Sequence, residues 1–361
     1  MSNTNTQWFY DPNKTFDQNM DDGPYFDSIP ELERTDKPRF DFLGFPIYLP
    51  FGIAAGTLPT SKHVKAAFDW GYDVATYKTM RSVAYPANQF PNIIPIETSG
   101  DVTLDQAESG LVKADDYPED YKKIVITNSF GNSGRGPEYW VNDMKIAAQS
   151  AGLGQVMIAS AFGTPRDGGT SEDFWQDFAD TAKMQKDAGA KIIELNLSCP
   201  NVVGEGIVCY TKEAVVGICE RTKKAIGTTP LLIKLGYFSD EQQTLLEEII
   251  AEVDQYIAGV SLINTILAKV YDKNGNQALP GEGRLKSGLC GAGIKWAGLE
   301  MVQRLADLRD SQGYQYQIVG VGGVMTPDDF FEYREIGADL VQACTAPMWN
   351  PDLAREIAQQ F

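Results

Sequence analysis

The chain has 361 residues, with 49 acidic against 31 basic side chains and a formal net charge of −18. That length suits one large α/β domain with insertions, and the negative field repels an anionic polymer such as nucleic acid. Small molecules are the expected partners.

The chain opens on "MSNTNTQWFYDPNKTFDQNMDDGPYF", polar and acidic where a secretory signal would be basic and then apolar. No apolar run reaches the roughly 20 residues of a spanning helix, so a cytoplasmic location is expected. Residues 1–42 read as an acidic, proline-containing extension wrapped over the surface of the rest of the chain, and residues 43–361 as one domain. The single histidine, His63 in "PTSKHVKAAFDWGY", falls in the first turns of an amphipathic helix and is expected to be an ordinary surface or helix residue. With one histidine, histidine triads and histidine-rich metal centres drop out. Five scattered cysteines, Cys199, Cys209, Cys219, Cys290 and Cys344, show neither a disulfide framework nor paired metal-ligand spacing. Free thiols and no metal are expected.

Strand-like runs lie at "FGIAAG" (51), "DVATYK" (73), "IVITNS" (124), "VMIASA" (156), "IIELNLS" (192), "LLIKLG" (231), "GVSLIN" (259), "IVGVGG" (318) and "DLVQACT" (339). Helices separate them, with readable ends: Ser239 and Gln242 have capping-box spacing, and Thr326-Pro327 with Gly337 has start and stop chemistry. Strands alternating with helices predict a parallel sheet buried on both faces. Eight such units close into a (β/α)8 TIM barrel, whose functional groups gather at the C-terminal strand ends. Nine runs is one too many. The run at 124–129 comes after a proline-rich, helix-poor stretch and is assigned to an insertion over the barrel mouth.

Strand ends are therefore where chemistry should lie. The first ends in Ala54-Ala55-Gly56, too small to block a flat ligand, and the second in Lys78-Thr79. The insertion offers Asn128, Ser129, Gly131 and Asn132; later strands deliver Asn196, Cys199 and Asn201, then Lys234, then Asn264-Thr265. Gly322 and Gly323 before a helix, with Thr345 on the next strand, can turn backbone N–H groups toward a phosphate. Lys78 and Lys234 sit inside apolar strands, where an unpaired ammonium is costly, so each implies an anionic or electron-rich partner. A flavin that becomes an anion on reduction meets that need. A Schiff-base aldolase would use one such lysine; two lysines with a phosphate cradle fit a flavin better.

The set "ATYKT", "ITNSFGN", "LNLSCPNV", "LLIKL", "INT", "VGVGG" and "VQACTA" resembles the dihydroorotate dehydrogenase family, FMN-dependent (β/α)8 barrels of pyrimidine synthesis, over about residues 42–350. The resemblance implies that Cys199 is the base that takes the C5 proton while a hydride passes from C6 to flavin N5; cysteine there marks the soluble class. It places substrate on Lys78, Asn128, Gly131, Asn132, Asn196, Asn201, Asn264 and Thr265. It places FMN on Ala55, Gly56, Lys78, Thr79, Asn128, Asn196, Lys234, Gly291, Gly322, Gly323, Cys344 and Thr345. A homodimer using a soluble oxidant such as fumarate is implied, and no membrane partner. The chain departs from the family at "NSFGNSG", where "NSMGLPN" is usual, at "RSVAYPANQFPNIIP", which lacks "GNPxPR", and at Cys344, where glycine is common. The alternative is a dihydropyrimidine (dihydrouracil) dehydrogenase-like flavoenzyme using Cys209, which otherwise reads as a small packed thiol. A barrel that binds without turnover would lack a principal strand-end group, and none is missing.

Overall fold

The structure is a computed structural model that describes residues 7–32, 34, 36–198 and 208–361. A short hairpin, β1 (Phe40–Phe42) and β2 (Phe45–Ile47), precedes β3 (Phe51–Ile53) and β4 (Val74–Met80). Then come β5 (Leu111–Val112), β6 (Val125–Asn128), β7 (Val156–Ala161), β8 (Ile192–Asn196), β9 (Leu231–Leu235) and β10 (Gly259–Leu262). β11 (Ile266–Tyr271), β12 (Lys286–Gly291), β13 (Gln317–Val321) and β14 (Leu340–Ala343) complete the set.

Eight of these close into one parallel barrel in the order β3-β4-β7-β8-β9-β10-β13-β14. β4, β7, β8, β9, β10 and β14 are buried at every residue, which is why they read as nearly continuous apolar runs. Helices between them obey the expected end chemistry. Thr326 caps the helix Pro327–Glu335 by accepting from the Asp329 amide at 3.2 Å, and Ser239 with Gln242 forms a capping box.

As expected, β6 lies outside the barrel. It joins a second sheet in the order β5-β11-β12-β6. β11 and β12 escape the sequence reading. Their segments carry Ala268, Lys269, Ser287 and Gly288, poor strand formers, and β12 pairs antiparallel with β6, Gly288 opposite Asn128, a partner far off in sequence.

Inside the barrel the side chains stack in layers. Val74, Val156, Ile158, Ile192, Leu232, Val319 and Leu340 form an apolar floor, sealed from below by Phe42 and Ile47 of the hairpin. The functional end is the opposite one.

The N-terminal segment does more than wrap a surface. Trp8 and Tyr25 exchange backbone hydrogen bonds of 2.9 and 2.8 Å, which folds the helix Phe16–Asp22 back over the barrel mouth with Phe9, Tyr10, Phe16 and Met20 buried. His63 is where this segment docks. It lies in the helix Ser61–Asp69, as expected, but it is fully buried and not a surface residue. Its Nδ1 lies 2.7 Å from Thr60 Oγ1, and Gly23 sits so close that a Cβ there would be 2.7 Å from Nε2. Burial drives its pKa down to about 3, with Lys62 adding to the effect.

Candidate active site

The C-terminal strand ends open into a cavity. Nine of the expected residues line it: Ala55, Gly56, Lys78, Asn128, Lys234, Asn264, Thr265, Cys344 and Thr345. The first strand brings the small residues. A Cβ on Gly56 would stand 2.6 Å from Cys344 Sγ, so a larger residue there would push that thiol aside.

A hydrogen-bond chain orders the amides. Thr79 Oγ1 lies 2.9 Å from Ser160 Oγ, Asn196 Nδ2 donates to Thr79 Oγ1 at 3.3 Å, and Asn264 Nδ2 donates to Asn196 Oδ1 and to the Ser198 carbonyl, each at 3.3 Å. Among the described residues, the Asn264 Oδ1 acceptor and one Asn196 N–H have no partner. Thr265 Oγ1 is buried with no partner among the described residues, a second group waiting for one.

Both lysines are buried, as the strand pattern implied. Lys234 is 3% exposed, stands opposite Asn196 on β8 and Ser261 on β10, and has no carboxylate in ion-pair range among the described residues. The Lys78 ammonium lies 5.4 and 5.3 Å from the ring centroids of Phe16 and Phe130. Burial pushes the Cys344 thiol up, while Lys234 and Lys78 pull it the other way. Burial likewise raises the Cys290 thiol, which lines the same cavity.

The glycines expected to cradle a phosphate have left-handed backbone. Gly322 and Gly323 hold φ of 127° and 69°, a region that side chains rarely enter. A Cβ on Gly323 would meet the Lys295 backbone at 2.6 Å. Gly291 likewise has φ of 93° at the end of β12. The three glycines stand beside the cavity, whose wall here is Val321, Cys290 and Thr345.

Gly131 and Asn132 do not line the cavity; Phe130 does. Their turn is held hard. Arg284 donates to Ser129 O at 3.1 Å and Ser129 Oγ at 3.2 Å, and Arg81 Nε donates to Asn132 O at 3.0 Å. Asn132 is in a left-handed conformation, φ 56°, with its buried Nδ2 unpartnered among the described residues. Cys199 and Asn201 lie outside the described residues. Cys209, the alternative acid, is fully buried in the turn Val208–Tyr210 and does not line the cavity. Its amide donates to Leu197 O at 2.9 Å, and burial pushes its thiol up to about 12. It is a packed thiol.

Sequence reasoning missed Tyr10, Ile93, Ile126, Phe130 and Met348 on the cavity wall, and Arg81 and Arg284 behind it. "TYKTMRS" carried a signal for Arg81, a cation continuing an apolar strand. Nothing local marks Tyr10. Among the described residues there is no cluster that could hold a metal ion, and no helix long and apolar enough to cross a membrane.

Comparison with known proteins shows the family. The family model for dihydroorotate dehydrogenase matches residues 117–361. A dihydroorotate dehydrogenase from Dictyostelium discoideum is 35% identical over 96% of this chain and 95% of its own. A relative from Solibacter usitatus, whose name carries dihydroorotate dehydrogenase A (fumarate), is 26% identical over 74% of this chain and 76% of its own. The catalytic subunit of a dihydroorotate dehydrogenase B (NAD(+)) from Alkaliphilus oremlandii is 31% identical over 51% of this chain and 57% of its own. With the barrel and its strand-end residues in place, the chain belongs to the dihydroorotate dehydrogenase family of oxidoreductases.

Proposed function

We propose that the protein oxidises L-dihydroorotate to orotate with FMN as its cofactor and a soluble oxidant such as fumarate, acting in the cytoplasm as a homodimer. The observation that carries this reading is that two buried ammonium groups, Lys78 and Lys234, share one cavity with Asn264, whose amide donates to Asn196 Oδ1 behind it. The residues fit a flavin. Small side chains from Ala54 to Gly56 leave room for a flat ring, the left-handed glycines Gly322 and Gly323 with Thr345 form a cradle for a phosphate, and Lys234 offers a positive charge to an anionic ring.

FMN bound there supplies the hydride acceptor. The protein's own groups do the rest. Asn196, Asn264, Asn128 and Thr265 orient the cyclic imide of the substrate through amide and hydroxyl hydrogen bonds. The anchored Ser129–Asn132 turn holds Phe130 at the cavity wall, and Phe130 with Tyr10 excludes water. Cys199, in the "NLSCPN" motif of the family, takes the C5 proton as a thiolate.

The test is product formation. Purified protein given L-dihydroorotate should form orotate with fumarate as oxidant, and NAD and a quinone in parallel assays identify the acceptor. Absence of orotate with all three oxidants would overturn the reading.

A further inference from the structure

Between the apolar floor of the barrel and the cavity lies a layer of polar side chains to which the proposed reaction assigns no contact with substrate or cofactor. Strand alternation defines it. On β8, Ile192 belongs to the floor and Asn196 to the site, so Glu194 between them faces the interior; Thr76 occupies the same place on β4 between Val74 and Lys78. Gln342 stands one inward step above Leu340 on β14, and Ser261 on β10 is in register with Lys234. These four come from alternate strands, as one layer of a closed eight-stranded TIM barrel should. All are fully buried.

Only one contact is made within the layer among the described residues, Gln342 Nε2 to Thr76 Oγ1 at 3.0 Å. Both Glu194 oxygens, Ser261 Oγ and Gln342 Oε1 have no hydrogen-bond partner among the described residues. Burying an isolated carboxylate is costly unless an opposite charge is near. Among the described residues Glu194 is the one acidic side chain on these inward-facing positions. Lys234 is aligned with Asn196 on the neighbouring strand, one inward step above Glu194, or about 7 Å along the strand. Lys234 has the complementary need, being buried without a carboxylate in ion-pair range among the described residues.

We propose that Glu194 is the counter-charge of Lys234 and, acting through it, sets the reduction potential of the bound flavin. This rests on the flavin reading. Glu194 is a positioning residue: it touches neither substrate nor cofactor. Its negative charge offsets part of the Lys234 ammonium, so the site favours the anionic reduced flavin less than an uncompensated lysine would.

The experiment is the midpoint potential of the flavin-loaded protein, measured by dye equilibration, with flavin content and thermal midpoint recorded alongside. Glu194→Gln, isosteric and neutral, should move the potential to more positive values. Glu194→Asp, which keeps the charge, should stay close to wild type. In a Lys234→Met background the Glu194→Gln shift should vanish. A Glu194→Gln protein that folds, holds flavin and keeps the wild-type potential would overturn the proposal, as would an undiminished shift without Lys234. Where Glu194→Gln fails to fold, Glu194→Gln/Lys234→Met should fold, because removing both partners strands no buried charge. Failure of that pair to restore folding would also overturn it. A wild-type protein that takes up no flavin defeats the flavin reading instead, before any variant is made.

Discussion

The rings of Tyr10 and Phe130 meet edge to face, centroids 5.6 Å apart and planes at 89°. This contact joins the N-terminal segment to the turn after β6, and Phe130 in turn faces the Lys78 ammonium. Removing Tyr10 therefore loosens the mouth as well as the segment. Tyr10→Ala should cost about 3 kcal/mol of stability, the lower end for a buried aromatic, and raise KM more than it lowers kcat. Chemical denaturation and steady-state kinetics check this; wild-type values of both would show that the segment is only a surface wrap.

The proposed phosphate cradle can be tested at its backbone. Gly323→Ala must hold φ near 69° and place a Cβ 2.6 Å from the Lys295 backbone. The left-handed cost alone is about 1–2 kcal/mol, and the backbone shift distorts the N–H groups meant for a phosphate. The variant should stay folded but bind FMN at least about tenfold more weakly, equivalent to about 1.4 kcal/mol. Fluorescence titration of the apoprotein with FMN measures it, and unchanged affinity would remove Gly323 from the cofactor site.

His63 supplies a pH dependence with a definite sign. Its folded pKa, about 3, lies below the unfolded value near about 6.5, so the unfolded chain binds the extra proton. Stability from neutral His63 is complete above roughly pH 6.5 and is lost as pH falls toward 3. Between pH 7 and 5 the loss should be about 2 kcal/mol. His63→Gln should lack that component, so the wild-type advantage over it shrinks as pH drops. Denaturation curves at both pH values that stay parallel would contradict the buried neutral imidazole.

Cys199 and Cys209 make opposite forecasts. With Cys199 as the base, Cys199→Ala should keep FMN yet slow flavin reduction by about two to four orders of magnitude, and the wild-type rate should rise with pH through the thiol range near about 8.5. Cys209→Ala should change the rate little, since that thiol is fully buried against the Gly236 backbone. Stopped-flow reduction of both variants decides, and a fast Cys199→Ala protein would exclude it as the base.

Much of the barrel was legible because its strands are buried on both faces and its helices carry local caps. Lys78 and Lys234 were legible for a related reason: a cation in an apolar run has to be explained. The insertion was read only in part, since β11 and β12 depend on pairing with β6 and carry weak propensities of their own. His63 was read correctly onto its helix, but its burial was not legible, because helical periodicity does not reveal that Gly23, far earlier in the chain, covers the imidazole. Tyr10 and the Arg284 anchor of Ser129 were invisible for the same reason, their roles being set by contacts distant in sequence.

The most direct test of the account is anaerobic mixing of the flavin-loaded protein with L-dihydroorotate and, separately, with dihydrouracil, monitored by the flavin absorbance. The account predicts rapid bleaching by L-dihydroorotate, with orotate formed in equal amount to reduced flavin, and little reduction by dihydrouracil. A protein that stays yellow with L-dihydroorotate, or that dihydrouracil reduces faster, would contradict it.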